Sequence, residues 1–320
     1  MSASFAMMGA MRTDSLPELG RFAGIITAAE LAQAGLGDAA IRTMLRQGAL
    51  TRVDRGVYAR TVPTGRDGRA LQIAAALAIS GPDAVASHYD AALVHGLDLV
   101  NRPPPAIAIT RPRTADGSRT GRKGIHLYPA ALPAGHVTVV NRIPVTTVAR
   151  TVADLARTTP LRSGVVTADS ALHARKTTKD GLRAVIATMN RWPGIETARL
   201  VTDFADARAE SPFESLARLA FRDWGLPPPV LQAEVGHDYV IGRVDFLWPA
   251  HATIAEADGA AKYADPRRAR LQLERDARLR HAGFEVVHFT WYDLHTNPHV
   301  VRQWILDAFR RQAILRAGIR

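Results

Sequence analysis

Residues 242–262 read GRVDFLWPAHATIAEADGAAK, and no other stretch narrows the fold as much. Two runs of strand length, Arg243–Trp248 and Thr253–Asp258, flank Pro249-Ala250-His251-Ala252, a turn signal, so the segment predicts a β-hairpin. With the turn centred there, Asp245 falls opposite Glu256, and Arg243 opposite Asp258. Side chains alternate along a strand. One face then carries Arg243, Asp245, Leu247, Ile254, Glu256 and Asp258. The other carries Val244, Phe246, Trp248, Thr253, Ala255 and Ala257 and is free to enter a core. Directly opposed residues have Cβ atoms roughly 5 Å apart, so three carboxylates crowd the first face. Like charges that close raise one another's pKa unless a cation intervenes. Oxygen-only ligands suit Mg²⁺ or Mn²⁺. A solvated strand face with scattered acids, Arg243 paired to Asp258, has the same pattern.

The chain has 320 residues, enough for two or three domains of roughly 150 residues each. It contains no cysteine, which removes disulfides, Cys-ligated zinc and a thiol nucleophile. No HExxH pair occurs, and no apolar run reaches membrane-spanning length. Residues 1–20 lack the basic n-region of a signal peptide and read as a loose leader, with Met7, Met8 or Met11 as alternative starts. The expectation is a cytoplasmic protein with no membrane partner. Net charge is +11, with 16 Lys/Arg against 15 Asp/Glu in residues 206–320 and 25 against 15 before them. The basic excess lies upstream of the acidic hairpin and points to a polyanion such as double-stranded DNA. Arginine richness from a GC-rich genome would produce the same excess.

Within residues 21–62, Thr27–Ala34 opens with Thr27 and Glu30 spaced as a capping box. Gly35-Leu36-Gly37 ends that helix. Asp38 then caps a second, Asp38–Gln47, with Ile41, Met44 and Leu45 on one side and Arg42 and Arg46 on the other. Leu50–Val53 and Val57–Ala59 form β-rich runs around the Asp54-Arg55-Gly56 turn. Helix, tight turn, helix and basic hairpin predict a winged helix-turn-helix. Its second helix would bring Arg42 and Arg46 to base edges, while Arg52 and Arg55 approach phosphate.

Residues 24–59, ending in Arg55-Gly56-Val57-Tyr58-Ala59, resemble the winged helix of abortive-infection type IV antitoxin proteins. Residues 63–205 continue the resemblance as a mixed α/β and helical region. Ser87-His88-Tyr89-Asp90-Ala91-Ala92 followed by His95-Gly96-Leu97 resembles an "SH..AA..HGL" segment of those proteins. Pro144–Leu155 (PVTTVARTVADL) resembles their "PVT...RT..DLA" segment. Neither carries an obvious catalytic mechanism; His88, Asp90 and His95 read as caps and core contacts before they read as metal ligands. The loop from Arg111 to Lys123 is basic and suits a DNA backbone or a plain solvated surface. The resemblance implies DNA as partner, with a toxin or self-association beside it.

The last part, residues 206–320, begins with Ser211-Pro212-Phe213-Glu214, where Ser211 is the N-cap, Pro212 the first helical residue, and Glu214 the third member of a capping box. Phe213, Leu216, Ala217, Ala220, Phe221 and Trp224 form its apolar stripe. A strand (Val230–Val235), the acidic hairpin, a basic helix (Pro266–His281), a strand (Phe284–Thr290) and a closing helix (Pro298–Leu315) follow. This order resembles the restriction-endonuclease fold with its PD-(D/E)XK site. More narrowly, it resembles the very-short-patch-repair endonuclease-like domain at the C-terminus of many actinobacterial proteins. The resemblance rests on Ser211-Pro212-x-Glu214, Val244-Asp245-Phe246, Glu256-x-Asp258-Gly259, Arg275-Asp276 and Ala282–Val286. It implies that Asp245 and Glu256 bind the divalent metal, which would activate a water and polarise the scissile phosphate. Asp258 stands where a Lys is usual, so it is either a third ligand or a departure that weakens the site. Lys262 would then supply the missing charge, and Glu214 would orient a metal-bound water. Arg267, Arg268 and Arg270 would hold phosphates.

The fold class expected is therefore α+β multidomain: an N-terminal winged helix-turn-helix, a mixed α/β middle region, and a C-terminal restriction-endonuclease-like α/β/α domain. The function expected is a DNA-binding protein with a Mg²⁺- or Mn²⁺-dependent endonuclease domain, in DNA repair or phage defence. The alternative is an antitoxin-type repressor whose nuclease-like domain is inactive or binds a partner.

Overall fold

A computed structural model describes Phe22 and residues 24–112, 123–236, 240–259 and 266–318. The leader, most of the basic loop after Arg111, Lys262 and the side chain of Arg268 lie outside the described residues. Among the described residues the fold is mixed α+β with three sheets. The chain divides into two compact units, one of residues up to Thr159 with Thr177–Leu200, the other of Pro160–Lys176 with Val201 onward. Among the described residues no helix is long and apolar enough to cross a membrane.

The first unit opens with β1 (Ile26–Thr27), α1 (Ala28–Gln33) and α2 (Asp38–Arg46), then β2 (Thr51–Asp54) and β3 (Val57–Ala59). The expected capping box forms: Thr27 Oγ1 accepts from Glu30 N, and the Glu30 carboxylate accepts from Thr27 N. Asp38 does not cap α2. It is the first helical residue, Gly37 holds the cap position, and no side chain closes that end. The three strands pair in the order β1-β3-β2, antiparallel throughout. Ile26, Leu31, Ile41 and Leu50 close a small core between helices and hairpin.

After it come α3 (Gly65–Ser80), β4 (Val85–Ala86), α4 (His88–His95), β5 (Ile107–Arg111), β6 (Ile125–Pro129), β7 (Val137–Val140), β8 (Ile143–Thr146) and α5 (Val148–Thr158). The strands form a sheet of order β6-β5-β4-β8-β7, with β4 parallel to β8 and β5 parallel to β6. Ile73 and Leu77 of α3 cover Ile107, Ile109 and Val145 of this sheet, and Phe22, Ile25, Val57 and Ala59 belong to the same core. The N-terminal module and the middle region therefore share one apolar interior.

Two further helices follow, α6 (Leu161–His173) and α7 (Lys179–Ala187), and these fall in different units. The unit boundary crosses the chain again within α8 (Ile195–Phe204). In the second unit α6 packs on α9 (Pro212–Asp223), where Asp169 accepts from Ser215 Oγ at 2.7 Å and Arg218 Nη1 at 2.8 Å. The sheet of β9 (Val230–Gly236), β10 (Val240–Trp248), β11 (Thr253–Asp258) and, after α10 (Pro266–His281), β12 (Glu285–Thr290) runs in the order β12-β11-β10-β9. β10 is antiparallel to both β9 and β11, and β11 is parallel to β12. A short α11 (Trp291–Thr296) absent from the sequence reading precedes α12 (Pro298–Gly318). Phe221, Phe246, Trp248, Phe289 and Phe309 form an aromatic core against one side of the sheet. Val244, Ile254 and Leu279 form a second core on the other.

Candidate functional site

Two surfaces follow from this arrangement. In the first unit, burying Ile41 directs the opposite side of α2 outward, and Arg42 and Arg46 are exposed there. Arg52 on β2 and Arg55 in the β2–β3 turn are exposed as well. The turn is held locally, Asp54 Oδ1 accepting from Arg55 N and Asp54 O from Arg52 Nε at 3.3 Å. None of the four guanidinium groups makes an ion pair with an acid among the described residues.

In the second unit the hairpin has the expected register, with Phe246 opposite Ala255 and Trp248 opposite Thr253. Beyond Phe246 the regular pairing of β10 with β11 ends, and Asp245 Oδ2 instead accepts from Ala257 N at 2.9 Å. Asp245 Oδ1 accepts from Gln232 Nε2 at 3.2 Å, and the same amide reaches Glu214 Oε2 at 3.0 Å. The register places Gln232 across from Asp245, and its φ is +50°, a backbone conformation uncommon outside glycine. Strict alternation breaks here: Val244 joins the core of Ile254 and Leu279, whereas Phe246 joins the aromatic core. The simple two-faced hairpin is thus corrected at its most acidic point.

Ser211 caps α9 by accepting from Glu214 N. The Glu214 carboxylate accepts from Ser211 Oγ at 2.8 Å and Glu210 N at 3.0 Å, not from the Ser211 N–H, so the expected capping box closes on one side only. Burial raises its pKa above the ordinary carboxylate value, and the charge of Asp245 acts in the same direction.

The remaining acids lie on no solvated face. Glu256 and Asp258 are 2% and 1% exposed. Glu256 Oε1 accepts from Arg275 Nη2 of α10 at 2.8 Å. Arg275 reaches it across Gly242, where a Cβ would lie 2.8 Å from its Nε, and also donates to Arg243 O at 2.6 Å. Arg243 pairs with Glu210 at 2.8 Å and not with Asp258. Asp258 bonds His288 Nδ1 at 2.9 Å, and His288 Nε2 bonds Asp276 at 2.7 Å. Both carboxylates accept, so the ring donates from both nitrogens as an imidazolium. Arg267 and Arg270 are exposed on α10, Arg270 paired to Glu274 at 2.9 Å.

Gln232, Arg275, Asp276 and His288 thus complete the acidic site. Only Arg275-Asp276 carried a sequence signal, as part of the endonuclease-like resemblance. Gln232 and His288 are single strand residues whose partners lie 13 and 30 positions away, and no local pattern marks them. Among the described residues no three His, Asp or Glu side chains are grouped to hold a metal ion.

Residues 16–61 match the family described as "Transcriptional regulator, AbiEi antitoxin". The uncharacterized proteins Rv2248 and MT2308 of Mycobacterium tuberculosis, strains H37Rv and CDC 1551, are each 31% identical over 263 residues, covering 79% of this chain and 90% of their own. A crystal structure of the RV2827C protein from Mycobacterium tuberculosis aligns over 73% of this chain and 87% of its own, at 19% identity and a TM-score of 0.42. This chain belongs to the family of Rv2248 and MT2308, and its N-terminal segment carries the AbiEi antitoxin regulator signature.

Proposed function

We propose that this protein is a transcriptional regulator that binds duplex DNA through a winged helix formed by α1, α2 and the β2–β3 hairpin. One observation carries the reading: the segment matching the antitoxin regulators turns Arg42 and Arg46 outward from α2, with Arg52 and Arg55 on the adjoining hairpin. Helix residues at base edges specify sequence, and hairpin cations at phosphates supply affinity that weakens with salt. A cognate toxin or a second copy is the protein partner such a regulator takes. The test is fluorescence anisotropy on the gene's own promoter against scrambled duplex. Equal affinity for both, or affinity unchanged in an Arg42→Ala/Arg46→Ala variant, sinks the reading.

A second reading, a metal-dependent deoxyribonuclease, is supported by the order of β9 to β12 and by the place of Asp245 and Glu256 where β10 and β11 part. Oxygen donors are the class that Mg²⁺ takes. A three-carboxylate site does not fit the residues as they stand, because Glu256 carries Arg275 and Asp258 carries His288. No catalytic step is therefore derived through a metal. Lys262 as the missing positive charge, and Arg267, Arg268 and Arg270 as phosphate holders, belong to this reading alone. Plasmid nicking in Mg²⁺ and Mn²⁺, lost in both Asp245→Ala and Glu256→Ala, would establish it; no nicking by the wild type in either metal would end it.

A further inference from the structure

The segments SHYDAALVHGL and PVTTVARTVADL, which carry no chemistry in the sequence reading, meet inside the first unit. Arg150 of α5 is 1% exposed. Its Nε donates to Asp154 Oδ2 at 2.8 Å, and Arg157 Nε donates to Asp154 Oδ1 at 3.1 Å. Both guanidinium groups lie 5.0 Å from the centre of the Trp192 ring. Two cations therefore share one carboxylate, and the nearby Asp90 is already paired with Arg69. A buried charge is costly unless an opposite charge and hydrogen bonds compensate it.

Two buried nitrogens are also left without a partner. Arg150 Nη1 donates to Ala131 O and His136 Nδ1, but Arg150 Nη2 has no partner. His88 is 1% exposed, has φ +50°, and stacks on Tyr128 at 3.6 Å. Its Nδ1 meets Ser87 Oγ at 2.9 Å, and its Nε2 has no partner. α4, which begins at His88, packs on α5, which carries Arg150, Asp154 and Arg157, so the unpartnered groups lie on two packed helices.

We propose that Arg150, Arg157 and His88 form a receptor for a small oxyanion of the phosphate class. A water would satisfy the orphaned donors and leave the excess positive charge in place; an oxyanion answers both. With Ser87 donating to Nδ1, His88 presents an N–H from Nε2. Burial, above all, lowers its pKa to about 4, so at neutral pH it meets the anion as a neutral donor. The guanidinium groups supply the charge and planar donors that match phosphate oxygens.

The test is thermal unfolding of the full chain in inorganic phosphate, or in 5′-AMP, against chloride at equal ionic strength. A saturable rise in Tm above chloride is expected, lost in Arg157→Gln and retained in Arg42→Gln on the exposed side of α2. Inorganic phosphate as effective as 5′-AMP assigns a free anion; a stronger effect of 5′-AMP assigns a nucleotide phosphate. Should Arg157→Gln not fold, the wild type decides alone: the His88 imidazole resonance, assigned by its absence in His88→Gln, shifts with the same half-saturation. No rise beyond chloride, a rise kept by folded Arg157→Gln, or an unmoved His88 resonance overturns the proposal.

Discussion

His288 Nδ1 and Asp258 Oδ2 meet at 2.9 Å across adjacent parallel strands, and the other ring nitrogen bonds Asp276 of α10. Burial opposes ionisation of that ring, and the hydrogen bonds of Asp258 and Asp276 outweigh it, raising its pKa to about 9. A pKa raised above the unfolded value of 6.5 stabilises the fold fully below that pH, and the stabilisation is lost as pH rises through about 9. Chemical denaturation from pH 6 to 10 should therefore show stability falling across this window in the wild type, and a flatter profile in His288→Gln. Equal slopes for the two proteins would refute the assignment.

Arg218 and Asp169 form a buried pair that joins α6 to α9 within the second unit. Their side chains are 8% and 1% exposed, and Arg218 also donates to Phe204 O. Asp169→Ala leaves Arg218 without its counter-charge in a site water does not reach. Removing one member of a buried pair costs about 3–5 kcal/mol, so urea unfolding should show a loss of that order. Asp169→Asn, which keeps one acceptor oxygen for either Arg218 and Ser215 or the Asp206 N–H, should lose less.

Gly194 separates Trp192-Pro193 from α8 with φ +77°, and a Cβ there would lie 1.9 Å from Arg157 O. Both the conformation and the contact exclude a side chain. Gly194→Ala should destabilise the first unit by more than about 1 kcal/mol, the opposite sign to Gly→Ala at a compatible site. Differential scanning calorimetry checks it, with Gly135→Ala, where φ is not positive and nothing lies within 4 Å, as the tolerated control.

The arginines of the N-terminal module should separate by role. Arg52→Ala or Arg55→Ala should weaken binding to every duplex alike and lower the salt slope by roughly 1. Arg42→Ala or Arg46→Ala should instead cost about 1–3 kcal/mol of discrimination between operator and scrambled DNA. Anisotropy titrations from low to moderate salt distinguish the two; identical behaviour of all four variants would show that α2 does not read bases.

The sequence by itself determined what depends on near neighbours. The Thr27–Glu30 capping box, the Ser211 cap, the Asp54-Arg55-Gly56 turn and the register of Phe246 with Ala255 are set by residues a few positions apart, and each was readable from spacing. Tertiary structure alone decided which charges neutralise the acids. Arg275 lies 19 residues from Glu256, and His288 lies 30 from Asp258. Those pairings exist only because the β11–α10–β12 crossover returns β12 beside β11 and lays α10 across Gly242. The break in alternation at Asp245 and the sharing of α6 and α7 between two units likewise arise from packing, since a strand or helix carries no local mark of the neighbour that will cover it.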